Sequence, residues 1–174
     1  MRCVMFGVLF LSVTAFGATD YQKEIDKQFP GFIALTKSEF NPEFIKSENP
    51  GLITGKFNPD QMKDFAAIVR DKTKKRYEAR ENSYDYYDGK VVSCLGQPKG
   101  GYKCQVISKM PFTIPQQSYL TTATPQKTGC YNDKGEKDSV DVKTDAIGWY
   151  YPEKGGSHYI YQADGTYRNC VTSD

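Results

Sequence analysis

Short runs in which hydrophobic and polar positions alternate recur along the second half of the chain, separated by Gly, Pro, Asn and Asp. Residues 90–108, "KVVSCLGQPKGGYKCQVIS", hold two such runs around Gln97-Pro98-Lys99-Gly100-Gly101, which predicts a hairpin centred on Lys99. "DSVDVKTDAIGWYY" reads as a further strand. Residues 157–171, "SHYIYQADGTYRNCV", read as a carboxyl-terminal hairpin turning at Ala163-Asp164-Gly165. In the first half the pattern is more mixed. Tyr21 to Phe29 is a polar helical turn or two stopped by Pro30-Gly31, and Phe32 to Leu35 is a short β-like run. Asn41-Pro42 with Glu43 behind it signals a brief helix, and Leu52 to Phe57 a strand. The charged segment "RDKTKKRYEARENSYDYYDGK" ends on Asp88-Gly89, a hairpin-type turn. Residues 110–129, rich in Pro, Thr and Gln, read as a long irregular excursion. The expected fold is mainly β, with α+β as its variant: antiparallel hairpins with one or two short helices in a single domain over residues 18–174.

"GKFNPDQMKDFAA", starting at Gly55, supports two readings. As a helix it has Asn58 as N-cap, Pro59 at the first helical position and Gln61 completing a capping box. Met62, Phe65, Ala66 and Val69 then fall on one helical face. As a metal loop it offers Asn58, Asp60 and Asp64 at the alternating spacing from which oxygens converge on a hard cation such as calcium. Lys56 stands where the first ligand is expected.

Composition strengthens the β assignment. Thirteen Tyr, ten Phe and one Trp lie largely in segments that also carry Val, Ile and Thr, residues that suit a pleated, half-buried surface. The amino end adds a compartment: Arg2, an apolar run from Val4 to Val13 and small residues at Ala15 and Gly17 form an export signal over residues 1–17. The mature chain is expected to be secreted or periplasmic, to start near Ala18, and to carry no membrane span. Loss of Arg2 takes the formal charge from +2 to about +1, which points away from nucleic acid as a partner.

Cys94, Cys104, Cys130 and Cys170 survive processing, and an even count in an exported chain predicts two disulfides. The hairpin at Lys99 sets Cys94 opposite Cys104, leaving Cys130 for Cys170. Zinc ligation is disfavoured by the absence of any C-x-x-C pair and by a single histidine, His158.

The stretch "LITGKFNPDQMKDFAAIV" resembles FG-GAP or VCBS-type repeats, in which a strand ending in Gly leads through an Asp-rich calcium loop into a strand beginning Phe/Tyr-Ala. Gly55, Phe57, Asn58, Asp60, Asp64, Phe65 and Ala66 carry the resemblance. "YYDGKVVSCLGQPKGGYKCQVI" and "YIYQADGTYRNCVTSD" are similar to the hairpins of small exported single-copy relatives. Lys56, Pro59 and Gln61 depart from the motif. An ammonium replacing a carboxylate repels a divalent ion, so no metal or other cofactor is expected; Lys56 is expected to pair with Asp60 or Asp64 in place of the ion.

Catalytic apparatus is sparse. Ser157 beside His158 makes no dyad, because strand neighbours point to opposite faces, and a lone strand histidine reads as a surface or rim residue. The basic run Arg70, Lys72, Lys74, Lys75 and Arg76 is offset by Glu78, Glu81, Asp85 and Asp88. Tyr84 and Tyr86, on an expected loop, have the profile of protein-contact hot spots, while Tyr87 reads as core. The leading functional expectation is a non-enzymatic binding protein, such as an inhibitor or immunity protein with an enzyme partner. An adhesion-type or accessory module, as the resemblance implies, is the alternative, and a carboxylate-dependent hydrolase the third.

Overall fold

A computed structural model describes residues 18–78, 83–131 and 135–172; the expected export segment, residues 1–17, and Glu81 lie outside them. Helix α1 (Ala18–Gln28) is followed by β1 (Phe32–Ala34), a 3-10 turn (Lys37–Glu39), β2 (Leu52–Gly55), β3 (Asp64–Asp71), β4 (Lys75–Glu78), β5 (Ser83–Gly96) and β6 (Tyr102–Phe112). These strands form one antiparallel sheet in which β3 and β4 share one edge of the long β5 and β6 takes the other. The second sheet contains β7 (Tyr119–Ala123), β8 (Lys127–Tyr131), β9 (Lys137–Asp141), β10 (Ala146–Tyr151), β11 (Gly155–Tyr161) and β12 (Tyr167–Thr172), in the order β7-β10-β11-β12-β8-β9. The architecture is mainly β, with one α-helix among the described residues.

The ambiguous stretch after Gly55 resolves as loop plus strand, and burial explains why it also looked helical. On β3, Phe65, Ala67 and Val69 pack under Tyr21 and Ile25 of α1, whereas Ala66 and Ile68 enter the core between the sheets with Trp149, Tyr159 and Ile147. A strand covered on both faces is apolar at every position, so it satisfies a period of 3.6 as readily as one of 2. Full burial of side chains such as Phe65 and Ile68 stabilises the fold by about 1.5–3 kcal/mol each.

Several expectations are corrected. Asp88-Gly89 is no turn but lies inside β5, because a Cβ on Gly89 would sit 1.8 Å from Cδ2 of Phe112. That glycine makes room for a ring. The excursion over 110–129 is not irregular: β6 runs to Phe112, β7 fills Tyr119–Ala123, and β8 begins at Lys127. No helix starts at Asn41; its side chain caps the Glu43 N–H at 2.9 Å and its carbonyl accepts the Ile45 N–H at 3.1 Å, a single turn. "DSVDVKTDAIGWYY" divides into β9 and β10, since Asp145 between them is held by Lys56.

Both disulfides join as expected. Cys94 and Cys104 are opposite one another on β5 and β6, and Cys130 on β8 is tied to Cys170 on β12. The second anchors a hairpin whose ladder to β12 has one register pair, Val171 with Tyr131, over a small outer core of Val142, Ala146 and Ile160.

Helix α1 also caps one end of each of two sheet edges. The Gln22 amide donates to Phe32 O (3.3 Å) and accepts the Ala34 N–H (2.9 Å) on β1. Gln28 donates to Tyr102 O and accepts the Cys104 N–H, both at 2.8 Å, on β6. A primary amide reproduces the donor and acceptor of a peptide group, so each glutamine acts as one residue of an added strand and blunts an edge prone to pairing.

Candidate functional site

Beyond the two-sheet core, the amino-terminal half of β5 continues with β4 as a two-stranded hairpin. Tyr77 is directly opposite Tyr84, and Lys75 opposite Tyr86. Period-two alternation places these four side chains on one face and Arg76 with Asp85 on the other. Tyr77 and Tyr84 are 48 % and 47 % exposed and stack at 5.1 Å between ring centroids, with Tyr86 edge-on to Tyr84 at 6.4 Å. Tyr84 and Tyr86 are therefore on a strand, where they were expected on a loop. Tyr87 is half-buried, paired with Phe112, and the Arg70 guanidinium lies 4.4 Å from its ring centre.

The hairpin's charges are satisfied locally. Lys74 binds Asp85 at 2.7 Å, Lys75 binds Asp88, and Arg76 reaches Glu78 and Asp85. Hydrogen bonding to Asp85 holds the Lys74 ammonium above its ordinary range, and Lys74 in turn pulls the Asp85 carboxyl down. Arg70 pairs with Glu39 at 2.7 Å and Lys72 with Asp26 at 4.0 Å, so each member of the basic run has a counter-ion. What this hairpin leaves unspent is aromatic surface.

A cleft of about 260 Å³ opens beside it, lined by Tyr84, Tyr86, Phe112, Gln116, Gln117 and Tyr151. Its floor is fixed: the buried Gln116 donates to Ser118 Oγ at 2.8 Å, and Ser118 also accepts the Trp149 indole N–H at 2.8 Å. Burial pushes the Tyr151 hydroxyl above its ordinary pKa. Rigid rings and amides around an open cleft provide contact area at small entropic cost, the property that makes tyrosine effective in protein recognition.

The loop between β2 and β3 is built differently. Asp64 is fully buried; Oδ2 accepts the Phe57 N–H at 2.7 Å and Oδ1 the Gly96 N–H at 2.9 Å. Burial raises its carboxyl pKa, partly offset by those two N–H bonds. Asp60 accepts the Met62 N–H at 2.8 Å and the Asn58 amide at 2.8 Å, and the nearly buried Asn58 caps the Asp60 N–H at 3.2 Å. Lys56 does not pair with either acid: its Nζ donates to Gln61 Oε1 at 3.1 Å. The expected substitution of ammonium for ion is thereby corrected. The oxygens that a cation would need are engaged by backbone N–H groups and by the Asn58 amide, and among the described residues no three His, Cys, Asp or Glu side chains converge on a metal-sized site.

His158 is buried rather than on the rim. It is 6 % exposed, its Nε2 contacts the Tyr150 hydroxyl, and its Nδ1 has no hydrogen-bond partner among the described residues. Burial alone lowers its pKa. Ser157 precedes it on β11 and so points to the opposite face. Opposite His158 in the ladder is Cys170, already in a disulfide. No nucleophile adjoins the imidazole on its own strand or in register across it.

Tyr77, Tyr151, Gln116 and Gln117 were not anticipated. Tyr77 was legible in principle, since "KRYE" and "SYDY" both alternate around a four-residue connection; the others reach the cleft only through tertiary folding. Comparison of the chain with protein-family models, with curated proteins and with solved structures gave no match.

Proposed function

We propose that the chain is a small extracytoplasmic binding protein that recognises a protein partner through the tyrosine face of the β4–β5 hairpin and the adjoining cleft. The observation that carries this reading is the Tyr77–Tyr84 stack, half exposed on a hairpin whose charges are already paired. Exposed aromatics at the centre of a contact contribute more than their share of binding free energy. A secreted or envelope-directed enzyme is the partner class that suits an inhibitor or immunity protein of this size. The export signal read from residues 1–17 supports the compartment, and two disulfides agree with it. Among the described residues no helix is long and apolar enough to cross a membrane.

The accessory-module reading rests on the resemblance of "LITGKFNPDQMKDFAAIV" to FG-GAP-type repeats, and the strand–loop–strand path through Gly55 and Phe65 supports it. Affinity capture from the native extracytoplasmic fraction separates the two. One stoichiometric enzyme, inhibited on binding and lost with Tyr77→Ser/Tyr84→Ser, supports the proposal; capture of glycan or of many proteins, unaffected by those substitutions, overturns it. Amino-terminal sequencing of the native protein should begin near Ala18.

A further inference from the structure

The outer edge of β6 lies apart from the tyrosine face and contains neither Tyr77 nor Tyr84. Among the described residues β6 is paired only with β5, and its outer side has no strand. Gln28 occupies Tyr102 and Cys104 with a peptide-shaped amide, so this edge already engages a strand-like partner at one end. From Gln105 to Met110 no backbone group on the outer side is bonded to a described residue.

Charge distinguishes this stretch from the rest of the sheet. Lys109 is directly opposite Lys90 in register, an arrangement in which like charges repel. Neither is in an ion pair among the described residues, in contrast to every member of the 70–76 run. The Lys90 ammonium lies 3.6 Å over the Phe32 ring, and Asp88 nearby is engaged by Lys75. Around the two lysines a shallow basin of about 450 Å³ is lined by Phe32, Gly89, Met110, Pro111 and Asp88, whose carboxylate is held by Lys75. Exposed Lys103 adds a third cation along the strand.

We propose that the Gln105–Met110 edge accepts an extended acidic segment of a partner protein as an added strand, with a partner carboxylate seated between Lys90 and Lys109. Main-chain bonds supply the affinity of such pairing and alternate side chains its selectivity. A second copy of this chain is a poor occupant, because its own β6 edge carries Lys103 and Lys109 and no acidic residue.

The test uses the mature protein and a fluorescein-labelled Glu-Val-Glu-Val-Glu-Val-Glu peptide, with two controls: the same peptide N-methylated at alternate residues, and its Lys-for-Glu counterpart. Binding is read by anisotropy at low salt, and β6 amide protection by hydrogen exchange. The acidic peptide should bind, slow exchange at amides between Gln105 and Met110, and lose affinity on N-methylation. Lys109→Glu should weaken binding by about tenfold, while raising rather than lowering the unfolding midpoint because it relieves the Lys90 repulsion; Lys109→Gln should fall between. Absence of binding, equal binding to Lys109→Glu, or binding without β6 protection and indifferent to N-methylation would each overturn the proposal. Tyr77→Ser/Tyr84→Ser should leave peptide binding unchanged, so the failure of one site is distinguishable from the failure of the other.

Discussion

In the β2–β3 loop, polar side chains face inward and are consumed there; on the β4–β5 hairpin, aromatic side chains face outward and stack on each other. Asp64 is fully buried and bonded to two backbone N–H groups, whereas Tyr77 is 48 % exposed with a ring as its partner. Sequence motif alone pointed to the first region as the site, since its acids have ligand spacing. The second has no motif. What separates them is whether a side chain's bonding capacity is used up by the fold, because a group already satisfied has little left for a ligand.

Substitutions should break this contrast to different extents. Asp64→Ala leaves two buried N–H donors without acceptors and should cost roughly 3–5 kcal/mol in urea unfolding; a loss below about 1 kcal/mol would mean that the loop is not held by this carboxylate. Because burial raises the Asp64 pKa, stability also has a titration-linked component, separate from the two N–H bonds, that is fully present below the unfolded value of 3.8 and lost as pH rises through the folded value. Asp64→Asn, which has no such titration, should remove that component.

His158 is lowered by burial and therefore behaves in the opposite sense: as pH falls below 6.5 the unfolded chain takes up the proton first. Stability should fall by up to about 1.4 kcal/mol per pH unit between 6.5 and the folded pKa. As the chain has one histidine, His158→Phe should flatten the urea midpoint between pH 7.5 and 5, and an unchanged slope would assign the effect elsewhere. Tyr77→Ser/Tyr84→Ser should cost about 1 kcal/mol or less, the scale of a cross-strand aromatic pair. Lys56→Met, which removes one exposed bond to Gln61, should change stability by under about 0.5 kcal/mol.

How far the sequence foretold this follows from where each signal originates. Hairpins at Lys99 and Asp164-Gly165 and the Cys94–Cys104 pairing were legible because turn chemistry and cross-strand register are local, and Cys130–Cys170 followed by elimination. β7 was not: only Leu120 of its five residues is buried, so it carries almost no alternation. Gly89 misled because its role is to admit Phe112 from a distant part of the chain. Tyr84 and Tyr86 were singled out from composition, but their stacking partner and cleft depend on the β4–β5 register and on the chain around Gln116. The glutamines that cap the ends of two sheet edges left no trace in the pattern, as each acts through a contact outside its helix.

Recognition by the tyrosine face is tested most directly by isothermal titration of the captured partner into wild-type protein and Tyr77→Ser/Tyr84→Ser at matched fold stability. A loss of at least about a hundredfold in affinity, with the urea midpoint within the small change expected above, is predicted. Retained affinity in the folded variant would contradict the assignment of this hairpin as the contact surface.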